Sequence, residues 1–173
     1  MVVSGAEPVV RDAEPDDVMA ICRFGEAYIR PHYAPLIGAA AADEQVRNWW
    51  NEGHIGAAVN EGLVVIAETE GQLVGVGQRG CRGGDHVVYK LYIHPEHRGR
   101  GLGPRLIGAI TRQLPAGTDR LYIEHFAANE RAGAFYEREG FTVERIEPSP
   151  TGNPALGIVW RRRDLVSSGR ESS

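Results

Sequence analysis

At 173 residues, 42% hydrophobic and 24% charged, the chain has an ordinary globular composition and the length of one domain with a proper core, expected over 1–173. A formal net charge of −4 argues against a general nucleic-acid binder, and no apolar run approaches membrane-spanning length. Two cysteines, Cys22 and Cys81, make neither a disulfide framework nor a metal quartet, and M-V-V-S-G-A-E-P lacks the basic region and apolar core of a signal peptide, so a soluble cytoplasmic protein is expected.

Pro8 to Arg11 reads as a short first strand. Pro15-Asp16-Asp17 has the marks of a helix start, with proline early and acids in the first turn. Val18, Ile21, Cys22, Tyr28 and Ile29 keep an apolar stripe along that helix, and Arg30-Pro31 should end it, because proline disfavours helix in the residue before it. A second helix is expected from about Ala41 to Asn51. Leu63 to Glu68 and Leu73 to Gln78 read as strands joined by the hairpin signal Glu70-Gly71. Arg82-Gly83-Gly84-Asp85 makes the next turn, and Val87 to Ile93 is a β-branched and aromatic strand broken by His94-Pro95. Leu106, Ile107, Ile110 and Leu114 then fall at helical spacing, with Pro104 as the first helical residue. Leu121 to His125 is another strand, Asn129 to Arg138 a helix stopped by Gly140, and Phe141 to Ile146 and Ala155 to Arg162 two closing strands. About 1–7 and 166–173 have little to bury and are expected to be disordered. Strand–helix–strand in the middle implies parallel pairing and the flanking hairpins antiparallel pairing. The expected fold is therefore α/β with a twisted mixed sheet of six or seven strands and helices on both faces.

Between the Val87 strand and the next helix lies H-P-E-H-R-G-R-G-L-G. Strand, glycine turn and helix together suit an anion: free N–H groups point outward from the helix N-terminus, and glycines remove the Cβ that would block approach. A dinucleotide fingerprint needs a third glycine where Leu106 stands, and a Walker loop needs Lys-Ser/Thr where Pro104-Arg105 stand. A structural glycine turn is the plain alternative. What fits is R-x-x-G-x-G as Arg98, Gly101 and Gly103, preceded by L-x-I-x-P as Leu91, Ile93 and Pro95. A second motif is N-E-R-A-G-A-F-Y-E-R-E-G-F, Asn129 to Phe141, in which Asn129, Ala132 and Tyr136 share one helix face.

On these two motifs and the element order, the chain resembles the GCN5-related N-acetyltransferase (GNAT) superfamily across nearly its whole length. The resemblance implies the GNAT-like acyl-CoA N-acyltransferase fold and acetyl-CoA as co-substrate, with no metal. The cofactor would be held by Leu91, Ile93, Arg98, Gly99, Arg100, Gly101, Leu102, Gly103, Asn129, Ala132 and Tyr136. It places a main-chain N–H donor for the thioester carbonyl near Ile93, and the pantetheine arm between two splayed central strands. Pro104 departs from many members, which have an N–H to offer there. Arg98 and Arg100 could clasp phosphate, and Arg161 to Arg163 are an exposed strand end or help bind the adenosine phosphate.

Acyl transfer to an amine requires a base, an oxyanion donor and an acid for the departing thiolate. The resemblance assigns the acid to Tyr136, which stays protonated at neutral pH. It assigns the base to Glu124, twelve positions earlier, as in the ribosomal-protein alanine acetyltransferase branch. Desolvation would raise the Glu124 pKa toward working pH. His125 must face the other way on the strand; it or a water chain is the alternative base. His94 and His97 lack a third ligand at zinc spacing. No cysteine sits in either motif, so direct transfer in a ternary complex is expected. Tyr28, His32, Tyr33 and His125 are the candidate acceptor contacts, while Trp49 and Trp50 either join them or simply pack the second helix. The acceptor expected is a small amine, amino acid or peptide N-terminus. A homodimer through the last two strands is drawn from analogy alone. The alternative of another class is a silent acyl-CoA-binding or sensing domain.

Overall fold

The structure is a computed structural model that describes residues 5–165. Of the ends expected to be disordered, 1–4 and 166–173 lie outside the described residues, and 5–7 are exposed and irregular. Seven strands form one mixed sheet in the order β1-β2-β3-β4-β5-β7-β6. They are β1 (Val9–Asp12), β2 (Val64–Thr69), β3 (Gln72–Arg82), β4 (Asp85–Ile93), β5 (Arg120–Phe126), β6 (Thr142–Glu147) and β7 (Ile158–Asp164). β4 and β5 are parallel, as the helix between them requires, and the pairs β1–β2, β2–β3, β5–β7 and β6–β7 are antiparallel. The chain divides into two compact units: residues up to Gln78 with Lys90–Ile110, and Arg79–Tyr89 with Thr111 onward.

In the first unit the hairpin signal works as expected. Glu70 and Gly71 both take positive φ (51° and 75°), the primed turn whose twist matches the strands it joins. The N-terminal helical region departs from expectation. α1 (Val18–Phe24) runs into a π-helical turn (Gly25–Ile29) and continues as α2 (Arg30–Ile37), so Pro31 does not end the helix. Proline removes one N–H and crowds the carbonyl four residues back. A π turn immediately before it shifts the pairing by one residue and widens the helix there, which relieves both conflicts. The segment stops at Gly38, whose φ of 92° leaves the helical region.

α3 spans Ala39–Trp49, and a further helix, α4 (Glu52–Asn60), was not expected. Gly53 and Gly56 mask it, yet the Asn51 side chain caps it by accepting the His54 N–H at 2.8 Å. Its Ile55, Ala58 and Val59 are buried at helical spacing. These helices close a core with Ile21, Phe24, Ile29, Val46 and Trp50 against Val64, Ile66, Val76 and Tyr92 of the sheet. α5 (Leu102–Gln113) begins two residues before expectation, so Pro104 is its third residue. That position still needs no intrahelical N–H partner.

In the second unit Gly83 and Gly84 (φ 59° and 87°) make the turn into β4, and β4 meets β5 at Val87↔Tyr122 and Val88↔Ile123. α6 (Glu130–Arg138) ends in two bonds: Phe141 N–H donates to Tyr136 C=O at 2.9 Å and Gly140 N–H to Glu137 C=O at 3.0 Å. With Gly140 at φ 87° this is a Schellman closure, and it explains G-F at the end of the second motif.

Gly25 lies so close to Trp50 that a Cβ there would come within 2.7 Å of the tryptophan Cβ, whereas one at Gly56 would meet nothing within 4 Å. Gly25→Ala is expected to lower unfolding stability by about 1–3 kcal/mol through overpacking. Gly56→Ala, in α4, should be neutral or stabilising by about 0.5–1 kcal/mol. Urea unfolding midpoints of the two variants beside wild type check this contrast.

Candidate active site

β4 reaches Ile93 and gives way to the short turn Pro95–His97. His94 Nδ1 accepts the Glu96 N–H at 3.1 Å, so the neutral ring carries its proton on Nε2 and donates it to the Tyr28 hydroxyl, 2.9 Å away. Tyr28 belongs to the π-helical turn. The Tyr92 hydroxyl donates to the Tyr28 carbonyl at 3.2 Å.

Arg98 folds back on the strand it has just left. Its Nε donates to the Ile93 carbonyl (3.3 Å), one Nη donates to the Tyr92 hydroxyl (3.1 Å), and the guanidinium lies over the Tyr92 ring at 5.4 Å. These donors fasten the turn. Arg100 is exposed.

Gly99 and Gly101 follow with φ of 73° and 79°, both exposed, and a Cβ at either would meet no atom within 4 Å. Leu102 and Gly103 are buried, so these two can offer an anion only their main chain. Leu106, Ile107 and Ile110 anchor α5 from below, and its first turn carries no acid to compete with an anion. Bare backbone at a helix start, backed by an apolar stripe, fits a pyrophosphate.

The aromatic set of the first unit is continuous. His94 packs on Tyr28 at 4.6 Å, and His32 lies 5.1 Å from both Tyr33 and Tyr92. The two tryptophans separate: Trp50 is buried beside Phe24, while Trp49 is 47% exposed and sits edge-on to His54.

In the second unit, alternation along β5 sends Glu124 and His125 to opposite faces. His125 points at α6. Its ring is 5.9 Å from Tyr136, and a Cβ on Gly133 would stand 3.1 Å from His125 Cε1. The ring lies with Nδ1 2.9 Å from the Phe126 carbonyl, to which it donates, while Nε2 accepts from Arg161 Nε at 3.0 Å. Burial, first, and Arg161 hold its pKa below the ordinary histidine value. With its lone pair engaged by Arg161, His125 packs under α6 on the face opposite Glu124.

Glu124 pairs across the ladder with Trp160 and shares that face with Tyr122, whose ring is 6.4 Å from Trp160. Arg82 and Arg145 lie 5.1 and 4.4 Å from the Trp160 ring centroid. Desolvation raises the Glu124 pKa and Glu147 adds to it, against Arg82 and Arg145.

Asn129 caps α6 by accepting the Ala132 N–H at 3.3 Å. Tyr136 is buried among Phe135, Phe141 and His125. The arginine run is not simply an exposed strand end: Arg161 also donates to the Phe141 carbonyl, and Arg163 donates to the Glu139 carbonyl while stacked on Phe141. Only Arg162, paired with Glu144 and Asp164, keeps to the solvated role. Among the described residues no group of three or more His, Cys, Asp or Glu could hold a metal ion, and no helix is long and apolar enough to cross a membrane. The residue that the sequence reading passed over is Lys90, on β4 beside Trp50; the signal was a lone cation inside V-V-Y-K-L-Y-I.

Residues 60–143 match the family model described as the acetyltransferase (GNAT) domain. Over 92 residues the chain is 38% identical to a 5-NmdU N-acetyltransferase of Pseudomonas phage PaMx11, covering 50% of this chain and 62% of that protein. Over 120 residues it is 34% identical to an uncharacterised protein of Mycobacterium leprae, covering 69% of this chain and 30% of the other. The match thus spans less than two thirds of either relative. The PaiA N-acetyltransferase of Thermoplasma acidophilum, solved in complex with coenzyme A, superposes with a TM-score of 0.75 at 13% identity, covering 92% of this chain and 100% of that one. At that identity the likeness is one of fold. The stretch that matches the GNAT acetyltransferase domain takes in both motifs, and the seven-stranded mixed sheet is the fold shared with solved GNAT N-acetyltransferases.

Proposed function

We propose that this chain moves the acetyl group of acetyl-CoA directly onto a primary amine. The observation that carries the reading is the turn from Arg98 to Gly103. It is fastened by Arg98, bare of side chains at Gly99 and Gly101, and continuous with the start of α5. Such a turn can hold the pyrophosphate of a coenzyme through main-chain N–H groups, with Arg100 near enough in sequence to add charge. Acetyl-CoA supplies an activated acetyl thioester and a thiolate leaving group.

The chain's own residues then have three tasks. The main chain near Ile93 donates an N–H to the carbonyl oxygen as negative charge gathers there. Glu124 takes a proton from the acceptor's ammonium, freeing the nitrogen lone pair to attack. Tyr136 gives its phenolic proton to the departing sulfur. Asn129 and Ala132 belong to the helix start that presents Tyr136, and Tyr28, His32 and Tyr33 provide aromatic contacts on the acceptor side. The phage relative is named as an N-acetyltransferase, which agrees with a nitrogen acceptor. A small amine, amino acid or peptide N-terminus is the acceptor class proposed.

Release of CoA thiol over a panel of such amines tests the proposal. Turnover is expected on at least one acceptor, and tight coenzyme binding with none would overturn it in favour of a silent binding domain. Glu124 works only when deprotonated and its pKa is raised, so kcat/KM should fall as pH drops through a value above the usual carboxylate range. Glu124→Gln should erase that acid limb and lower kcat/KM by about 10²-fold or more, and Tyr136→Phe should slow turnover comparably with little change in KM.

Gly101→Ala forces a left-handed φ of 79° on a residue with a Cβ and puts a methyl group where the anion would lie. Coenzyme A affinity should weaken by about tenfold or more, read by calorimetry. Unchanged affinity would remove the turn from the binding site.

A further inference from the structure

Of the chain's 19 lysines and arginines, Lys90 alone is a lysine. It lies in the middle of β4, partly buried, and its side chain turns toward α3 and α4. The Lys90 ammonium donates to Gln78 Oε1 at 2.8 Å and stands 5.4 Å from the centre of the Trp50 ring. With its oxygen taken, Gln78 turns Nε2 to His54, whose Nε2 accepts at 3.2 Å. That bond requires an uncharged His54. Among the described residues no carboxylate pairs with Lys90, and His54 is the titratable group that faces it.

We propose that Lys90, held by Gln78 over Trp50 and beside His54, is the recognition point for an anionic group, a carboxylate or a phosphate, on the acceptor. Only the word acceptor rests on the acetyltransferase reading; the anion site stands without it.

The choice of residue argues for this. A cation taken out of water without a counter-ion is costly. An arginine cannot shed its charge and would carry that cost whenever the site is empty. A lysine can release its proton, and burial pushes Lys90 down to about 7, with His54 lowered by burial and then by Lys90 itself. An entering anion restores the ammonium by pairing with it, so binding takes up a proton. Affinity is therefore greatest below pH 7 and falls by about tenfold per pH unit above it, until the raised pKa of the bound form is reached.

Because there is one lysine, [ε-13C]lysine labelling gives one NMR resonance, which can be titrated with pH without any acetyl-CoA. The probes are propionate, inorganic phosphate and, as the neutral control, propionamide. One of the two anions should move the Lys90 midpoint upward by about one pH unit, while propionamide leaves it in place; which anion acts tells carboxylate from phosphate. Calorimetry should show that anion's binding lost in Lys90→Met and, in Lys90→Arg, kept but no longer pH-dependent above 7. If neither anion moves the midpoint, or if Lys90→Met binds the anion as wild type does, the proposal falls. In the acetyl-transfer assay, wild type should favour an amine bearing that anion over its amide by about tenfold in kcat/KM, and Lys90→Met should not. A midpoint shift with no turnover on any amine would defeat the acetyltransferase reading alone. Turnover with an immobile Lys90 midpoint would defeat the anion site alone.

Discussion

Arg98 holds the glycine turn that joins β4 to α5 in the first unit. A backbone that presents bare N–H groups to an anion cannot be stiffened by its own side chains, because the positions that matter are glycines. The stiffness has to come from the flank. Arg98 supplies it by reaching back to the Ile93 carbonyl and the Tyr92 hydroxyl, and Tyr92 in turn reaches the Tyr28 carbonyl. Strand end, glycine turn and π-helical turn are thereby one fastened piece. The guanidinium thus braces the glycine turn from behind. The π turn is itself an unfavourable local form. It is retained where it lets a helix pass Pro31 and sets Tyr28 against His94.

The second unit solves a different problem with one strand. Adjacent residues of β5 face opposite ways, and burial acts on both, raising the carboxyl of Glu124 and lowering the imidazole of His125. The same desolvation has opposite consequences for their use. Glu124 keeps lone pairs and gains basicity. His125 is held toward its neutral form, with its lone pair engaged by Arg161. Arg161, Arg163 and the Gly140 closure then lock α6 against β5 and β7, which fixes where Tyr136 lies.

Much of this was legible in the residues. Primed turns at Glu70-Gly71 and Gly83-Gly84 and the closure at Gly140 are local, with one residue type and one backbone conformation deciding each. Both motifs lie where their spacing put them. What was not legible is non-local. Pro31 reads as a stop unless the preceding turn is known to be π-helical, and that turn opens at Gly25, packed under the distant Trp50. α4 hides behind two glycines and is revealed only by Asn51 capping and burial of Ile55. The inward roles of Arg161 and Arg163 depend on carbonyls at Phe141 and Glu139, 20 and 24 residues away, which no spacing rule connects.

Two kinds of charged group can be told apart by the direction in which the fold moves them. Arg11 grips Asp17 with two bonds, at 2.8 and 2.9 Å, and Glu68 with two more. The guanidinium is raised and Asp17 is lowered, each chiefly by those hydrogen bonds, so both move away from neutrality. The Asp17 contribution is fully present above the ordinary carboxylate pKa and is lost only as pH falls through its lowered value. Such a cluster fixes β1 to the start of the helical region and is inert near pH 7. Glu124 and Lys90 go the other way, the acid up and the base down, with desolvation leading in both and, among the described residues, no ion pair that reverses it. Burying a charge without compensation costs stability, so it is a poor way to build a fold and a good way to bring a proton within reach at working pH. That asymmetry, more than any single distance, separates the charges that hold this chain together from the two whose protons burial brings toward working pH.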